Sequence, residues 1–335
     1  MSYKRIVITQ FGEPDVMQLV EEPNLPEPKD NEVRIKVLYT SANFTDIMIR
    51  KGMYPEVKEK PPFSPGYDMV GIVDKTGDKV EQFQEGDVVA DMPVIGAYSE
   101  YICLPEKQLI PVPAEVNPNE AVSLILSYTT AYQLLYREAK VKPAQKILVH
   151  GAGGAVGQAM LELGKLSGLE MYGTASASKH NLVSKHGATP IDYQEKDFAE
   201  QLKAKGISDF DAVFDPIGGT NFKNSFGLLR KGGKLVAYGF YKAVMGHGGS
   251  IPADFMKLQL WNLLPNGRKA GFYSIGALRK KYPEWFREDL STLFDILKDK
   301  KIKPLIGDIM PLSKAVEAHT IIEKKQNKGK IILQL

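Results

Sequence analysis

The sequence predicts an α/β chain of two domains, one β-rich and barrel-like, the other a doubly wound parallel sheet. Three observations carry this. An apolar strand at residues 147–150 runs through a glycine-rich turn straight into a helix. Residues 1–124 read as short strands divided by turn signals, and from about residue 125 strands alternate with helices. At 335 residues the chain exceeds one ordinary core, and its 43% apolar and 25% charged content is that of a soluble globular protein.

In the first domain Arg34-Ile35-Lys36-Val37-Leu38-Tyr39 alternates polar with apolar, and Val70-Gly71-Ile72-Val73 does so more loosely. Glu-Pro-Asp at 13–15, Pro-Glu-Pro-Lys-Asp at 26–30, Thr-Gly-Asp at 76–78 and Glu-Gly-Asp at 85–87 mark the turns. In the second domain strands are expected at 147–150, 170–174, 212–215 and 234–239, with helices at 155–167, 179–186 and 221–230 between them. After residue 266 the alternation breaks. Trp285, Phe286, Leu290, Leu293, Phe294 and Leu297 repeat at helical spacing and predict core anchors on a helix at 284–300. A helix at 314–325 and a strand at 330–335 close the chain, and that strand is placed to return to the first domain.

A net charge of +3 without a long basic block argues against nucleic acid as a partner, and the lysines of residues 324–330 read as a solvated helix end. Cys103, the single cysteine, excludes a disulfide framework and a cysteine-rich zinc site, and is expected as core filler in a strand. The N-terminus enters a strand without a signal peptide, and no apolar stretch nears the roughly 18 residues of a bilayer span. A cytoplasmic protein is expected.

The turn carries Gly151, Gly153, Gly154 and Gly157, with Ala155 and Val156 opening the helix. Such a turn cradles a pyrophosphate, because glycine lets the backbone approach and the helix N-terminus offers free N–H groups. An NAD site places a carboxylate about 20 residues later, at the end of the second strand. Here that window reads Gly173-Thr174-Ala175-Ser176-Ala177-Ser178-Lys179-His180. Its hydroxyls and its cation suit a 2′-phosphate dianion instead, so NADP(H) is the expected cofactor. Thr174, Ser176, Ser178 and Lys179 are the candidate cofactor contacts of this window, the last three toward the phosphate, and those three equally suit the cap of the next helix. Gly239, at the end of the strand at 234–239, is expected as a position where the cofactor approaches closely.

Asn43-Phe44-Thr45-Asp46 is followed by Gly52-Met53-Tyr54-Pro55, and then by Ser64-Pro65-Gly66-Tyr67-Asp68-Met69-Val70-Gly71. Further along come Tyr128-Thr129-Thr130-Ala131-Tyr132, Asp215-Pro216-Ile217-Gly218-Gly219 and Asn327-Lys328-Gly329-Lys330-Ile331-Ile332-Leu333. These stretches resemble the signatures of the medium-chain dehydrogenase/reductases, in their zinc-independent quinone oxidoreductase branch, over essentially the whole chain. Within the branch, residues 173–180, Pro190-Ile191-Asp192-Tyr193 and the ending from Ile302 are most similar to the synaptic-vesicle membrane protein homologues.

The resemblance implies a GroES-like catalytic domain at 1–124 and 267–335, interrupted by a Rossmann NADP(H)-binding domain at 125–266. It also implies a homodimer paired through the edge of the cofactor sheet, at the strand 269–274. Zinc-dependent relatives carry a cysteine ligand near position 40 and a Gly-His-Glu in the next motif. This chain has Thr40 and Gly66-Tyr67-Asp68, so no metal is expected.

Lacking that Lewis acid, the chain is ill suited to alcohol oxidation, whereas a quinone or an α,β-unsaturated carbonyl supplies its own conjugation. Tyr54 matches a cleft tyrosine of the branch that can donate to developing enolate or phenolate charge; it also reads as an interfacial aromatic beside Pro55. Asn43 resembles a residue near the nicotinamide, and Asp46 is expected to orient its loop. Thr130 matches a cofactor-contacting threonine, and Tyr193 and Lys179 match residues that clasp the adenosine phosphate. Three functions follow: an NADPH-dependent quinone reductase, a reductase of enone or enoyl-thioester C=C bonds, and a low-turnover NADPH-binding protein at a membrane surface. The last has a handle in the apolar stripe of residues 251–264, which at helical spacing reads first as a core or dimer face.

Overall fold

Alternation along residues 33–37 turns Val33, Ile35 and Val37 to one buried face, and the strand they form organises the first of two units. The computed structural model describes all 335 residues. Its strands are β1 (Tyr3–Ile8), β2 (Met17–Glu22), β3 (Glu32–Ala42), β4 (Met69–Thr76), β5 (Val88–Asp91), β6 (Tyr101–Pro105), β7 (Ile110–Pro111), β8 (Lys146–His150), β9 (Glu170–Ala175), β10 (Thr189–Asp192), β11 (Phe210–Asp215), β12 (Leu229–Ala237), β13 (Lys269–Phe272), β14 (Ile306–Pro311) and β15 (Lys330–Gln334).

One unit comprises Met1–Leu126 and Arg287–Leu335. Its main sheet runs β14-β15-β3-β4-β5-β7, with β6 on β3 and a separate β1-β2 pair. The length of β3 lets one strand serve three partners: β4 along one side, β6 against residues 32–36 and β15 against residues 39–42 on the other. Met69, Val73, Val89, Ala97, Leu104 and Leu109 join the three β3 side chains in the core. The C-terminal strand thus returns to the N-terminal sheet.

The other unit, Ser127–Phe286, holds an all-parallel sheet in the order β10-β9-β8-β11-β12-β13. Strand order reverses between β8 and β11, and ligands of doubly wound sheets bind outside the carboxyl ends of the strands at such a switch point. The unit's core packs Leu148, Val213 and Leu235 of the strands against Phe198, Leu202, Phe222 and Leu258 of the helices.

Several expectations shift. Residues 267–286 stay with the parallel sheet rather than the catalytic unit, because β13 hydrogen-bonds along β12 as its sixth strand. β10 is a strand that periodicity missed: it is four residues long and contains Pro190. Cys103 is half-exposed rather than core, since the partner face of β6 is the rim near Pro26, whose carbonyl lies 3.7 Å from Sγ. On the helix Pro283–Lys298, Phe286, Leu290, Leu293, Phe294 and Leu297 are buried, while Trp285 is half-buried under the Arg137 guanidinium. In the helix Ile251–Trp261 the apolar stripe is mostly not core: Leu258 is buried, but Phe255, Met256 and Leu260 are exposed, as are Leu263 and Leu264 beyond it. No helix is long and apolar enough to cross a membrane.

Candidate active site

The turn expected to cradle a phosphate forms where β8 ends. Gly151 takes φ +66°, the left-handed region that an L side chain resists, and turns the chain. Gly157 lets the new helix lie against that turn: a Cβ there would stand 2.4 Å from Gly151 O and 2.7 Å from Ala152 Cα. The helix Ala155–Leu166 has Gly154 as its N-cap, and no side chain caps it. Its first-turn N–H groups, at Ala155, Val156 and Gly157, lack intrahelical acceptors and face outward with the positive end of the dipole. Gln158 braces the turn from inside, its Nε2 donating to Ala152 O at 2.7 Å.

A buried polar chain fixes the cradle from behind. Ser225 Oγ donates to Asp215 Oδ2 at 2.8 Å, so it accepts from His150 Nε2 at 3.0 Å. His150 Nδ1 then accepts from Thr174 Oγ1 at 3.0 Å, and Thr174 Oγ1 accepts the Gly151 N–H at 3.4 Å. Burial holds the imidazole below its ordinary pKa, against the pull of Asp215, which keeps it neutral and this donor order intact. Thr174, expected among the cofactor contacts, thus spends its hydroxyl on the turn itself.

The carboxyl ends of the neighbouring strands gather most of the remaining expected contacts. Ser176, Ser178 and Lys179 follow β9, with the two serine hydroxyls 3.2 Å apart. Tyr193 follows β10, whose Asp192 pairs in register with Ala175, and its ring is 44% exposed. The Lys179 stem lies over Gly153: a Cβ there would meet Lys179 Cδ at 2.7 Å and Cβ at 3.0 Å. Glycine at 153 therefore makes room for the lysine stem. Gly239 follows β12, and its missing side chain makes room for Pro216, whose carbonyl oxygen would lie 2.9 Å from a Cβ. Thr130 sits apart from the sheet, buried in the helix Thr129–Tyr132.

In the other unit Tyr54 lies in the turn after the helix Phe44–Arg50, entered through Gly52 at φ +67°. Its hydroxyl is 2.5 Å from that of Tyr67, and the rings meet edge-on at 5.6 Å. Burial, then the charge of Glu56, pushes the Tyr54 phenol above its ordinary pKa; the Tyr67 hydrogen bond acts the other way.

Asn43 is built into the scaffold. Its Nδ2 donates to Ser41 O at 3.0 Å and approaches Asp68 Oδ2 at 3.5 Å, and its Oδ1 accepts from Lys330. Its backbone N–H donates to Asp46 Oδ2 at 2.9 Å, which starts the helix with the acid at its third position. Asp46 thus orients the loop, as expected. Burial, followed by the charge of Asp68, lifts its carboxyl to about 8. Asp68 accepts from Ser41 N at 3.0 Å and Ser41 Oγ at 2.5 Å and lies 3.8 Å from the Lys330 ammonium.

Sequence reasoning misses Lys330, which lies in a lysine run expected at a solvated end and is buried, and Tyr67, notable in the sequence only for the ligand it replaces. It also misses Arg50, whose buried guanidinium donates to Glu323 Oε1 at 2.6 Å and Gly12 O at 3.1 Å. Arg50 stands beside Lys51 and Lys330 two residues after Lys328, so neither position announces burial, and their partners lie 273 and 287 residues away.

Comparison with known proteins agrees with this fold. Residues 29–114 match the alcohol dehydrogenase GroES-like domain, and residues 186–333 match the zinc-binding dehydrogenase family. The chain is 31% identical to the Rattus norvegicus synaptic vesicle membrane protein VAT-1 homolog, over 98% of this chain and 83% of that one. It is 30% identical to the quinone oxidoreductase of Sus scrofa, over 98% and 97%. Among solved structures, the Escherichia coli quinone oxidoreductase complexed with NADPH superposes with a TM-score of 0.87 at 27% identity, covering 99% of this chain and all of that one. The human synaptic vesicle membrane protein VAT-1 homolog-like protein gives 0.83 at 27%, covering 100% and 98%.

Proposed function

The chain belongs to the quinone oxidoreductase branch of the medium-chain dehydrogenase/reductases, and on that premise we propose that it is an NADPH-dependent, zinc-independent reductase of quinones or similar conjugated carbonyls. The observation that carries this is the cradle at residues 151–157 with Lys179 packed across it and no carboxylate following β9. The residues fit the cofactor: the close approach at Gly157 leaves the first-turn N–H groups bare for a pyrophosphate, and Lys179, Ser176 and Ser178 supply cation and hydroxyls for a 2′-phosphate. Tyr193, from the adjacent strand end, offers an exposed ring for the adenine side. When bound, the reduced nicotinamide supplies the hydride.

Tyr54 takes the role of hydrogen-bond donor to the acceptor oxygen as charge develops there. Asn43 positions it: its carboxamide ties the start of the helix Phe44–Arg50 to Ser41, Asp68 and Lys330, and that helix delivers Tyr54. Zinc independence is supported by the donor set. Thr40 Oγ1 is turned to Asp68 O at 2.6 Å, a phenol stands at 67, and the charge beside the Asp68 carboxylate is the Lys330 ammonium. A second copy of the chain is the proposed cover for the open edge of β13 and the exposed side chains of Leu260 and Leu263, the latter 78% exposed.

The test is NADPH oxidation against ortho- and para-quinones, an enone and an enoyl thioester, with NADH titrated in parallel. Turnover of the quinones with NADPH preferred is expected. Reduction of the C=C substrates alone would remove the quinone assignment, and equal affinity for NADH would remove the role given to Lys179. No turnover together with binding to liposomes would replace the enzyme reading with a membrane one.

A further inference from the structure

Two phenols 2.5 Å apart share one hydrogen, so one tyrosine donates and the other accepts. Which way the bond runs decides what Tyr54 can do. If Tyr54 donates to Tyr67, its proton points inward and only its lone pairs remain for a ligand. If Tyr67 donates, the Tyr54 hydrogen is released to point elsewhere and its oxygen is polarised by the bond it accepts.

The surroundings make Tyr67 the fixed partner. Its side chain is fully buried and Tyr54 is half-buried. The backbone around it is clamped on both sides. Gly66 before it holds φ +110°, with Tyr98 N 2.4 Å from where a Cβ would stand. Asp68 after it is held by Ser41 and Lys330, and the Tyr67 carbonyl itself accepts from Val94 N at 3.3 Å. Tyr54 is carried by a turn after a seven-residue helix. Its ring meets that of Tyr67 edge-on, with the ring planes 88° apart. Charge forming on an acceptor oxygen favours the arrangement in which every O–H in the chain points toward it.

We propose that Tyr67 is a positioning residue for the reaction: it donates its buried hydroxyl hydrogen to Tyr54 and thereby turns the Tyr54 hydroxyl outward as the donor to the substrate oxygen. This rests on the role given to Tyr54 under the proposed function. Tyr67 touches neither substrate nor cofactor in this scheme. In this scheme the effect of its hydroxyl on kcat is exerted through Tyr54, so removing that hydroxyl adds no further loss of kcat once the Tyr54 hydroxyl is gone.

A double-mutant cycle on the full-length enzyme with NADPH and a quinone tests this. Tyr54→Phe is expected to lower kcat about 100-fold, as for loss of one oxyanion donor. Tyr67→Phe is expected to lower kcat about 5- to 10-fold, as for one lost neutral hydrogen bond, with quinone KM and NADPH Kd within about twofold. The Tyr54→Phe/Tyr67→Phe double variant is expected to match Tyr54→Phe alone. Should Tyr67→Phe fold poorly, incorporation of 3,5-difluorotyrosine at 67 keeps ring and hydroxyl while strengthening the donor, and kcat at or above wild type is expected. A wild-type kcat for Tyr67→Phe, or penalties that multiply in the double variant, would overturn the positioning role and leave that of Tyr54 standing. A Tyr54→Phe enzyme with undiminished kcat would overturn both.

Discussion

Replacing Gly157 by alanine puts a methyl group into the contact on which the cradle depends. Its Cβ would stand 2.4 Å from Gly151 O, 2.7 Å from Ala152 Cα and 2.9 Å from Ala152 C. Ordinary carbon contacts begin near ~3.5 Å, so the backbone of 151–152 must open by roughly 1 Å. No flexible side chain is there to yield. Overpacking of this kind costs about 1–3 kcal/mol, and alanine's better helix propensity returns about 1 kcal/mol. Net stability should therefore fall by no more than about 2 kcal/mol. The displaced atoms are the cradle itself, so NADPH affinity should fall by roughly 10- to 100-fold. Gly154→Ala is the control: its nearest neighbour is Gly151 O at 3.2 Å and its φ of −89° is ordinary, so affinity should stay within about threefold. Calorimetric titration with NADPH, beside thermal unfolding, reads both. An unchanged affinity in Gly157→Ala, with a loss in Gly154→Ala, would refute the geometry argued for the cradle.

Lys179→Met keeps the stem over Gly153 and removes the charge. NADPH affinity should drop about 10-fold or more while NADH affinity is unmoved; equal losses for both cofactors would assign the lysine to packing alone. Lys330→Met strips the buried Asp68 carboxylate of its ammonium, and unfolding in urea should show a loss of about 3 kcal/mol. Ser41 still bonds Asp68, so the low end of the range for a broken buried pair applies; a loss within error would show the pair to be dispensable. Asp46 carries a carboxyl raised to about 8 by burial and then by Asp68, so the folded state keeps a proton that the unfolded chain releases above about pH 4. Its contribution to stability is full below that pH and is lost as pH rises through 8. Asp46→Asn should flatten the decline in urea midpoint between pH 5 and 8 relative to wild type, and identical slopes would remove Asp46 as its source.

Local spacing determined much of this protein. A strand, a glycine turn and a helix are contiguous, so the cradle at 151–157 was legible from end to end, as was the missing acid after β9. The return of the C-terminal strand was legible because a helix followed by an apolar run must bury that run somewhere, and β15 does so on β3. The boundary between the two units was not: the resemblance put the strand at 269–274 on the edge of the cofactor sheet, but only the pairing of β13 with β12 shows that the residues from 267 on stay with that sheet. The same holds at residues 251–264, where helical spacing announced an apolar stripe but not that Leu260 and Leu263 would face outward.

The candidate site divides along the same line. Residue types and intervals nominated Lys179 and the glycines, whose chemistry is local, and the family resemblance nominated Tyr54 and Asn43. What each does depends on neighbours from elsewhere. Asn43 is consumed by a lysine 287 residues away, and Thr174 is spent on His150 and Gly151. Tyr54 meets a second phenol that stands where zinc-dependent relatives place a histidine. A sequence fixes the donors and acceptors a chain carries. Which donor is satisfied by which acceptor is settled only when burial removes water and forces each polar group to find its partner within the fold.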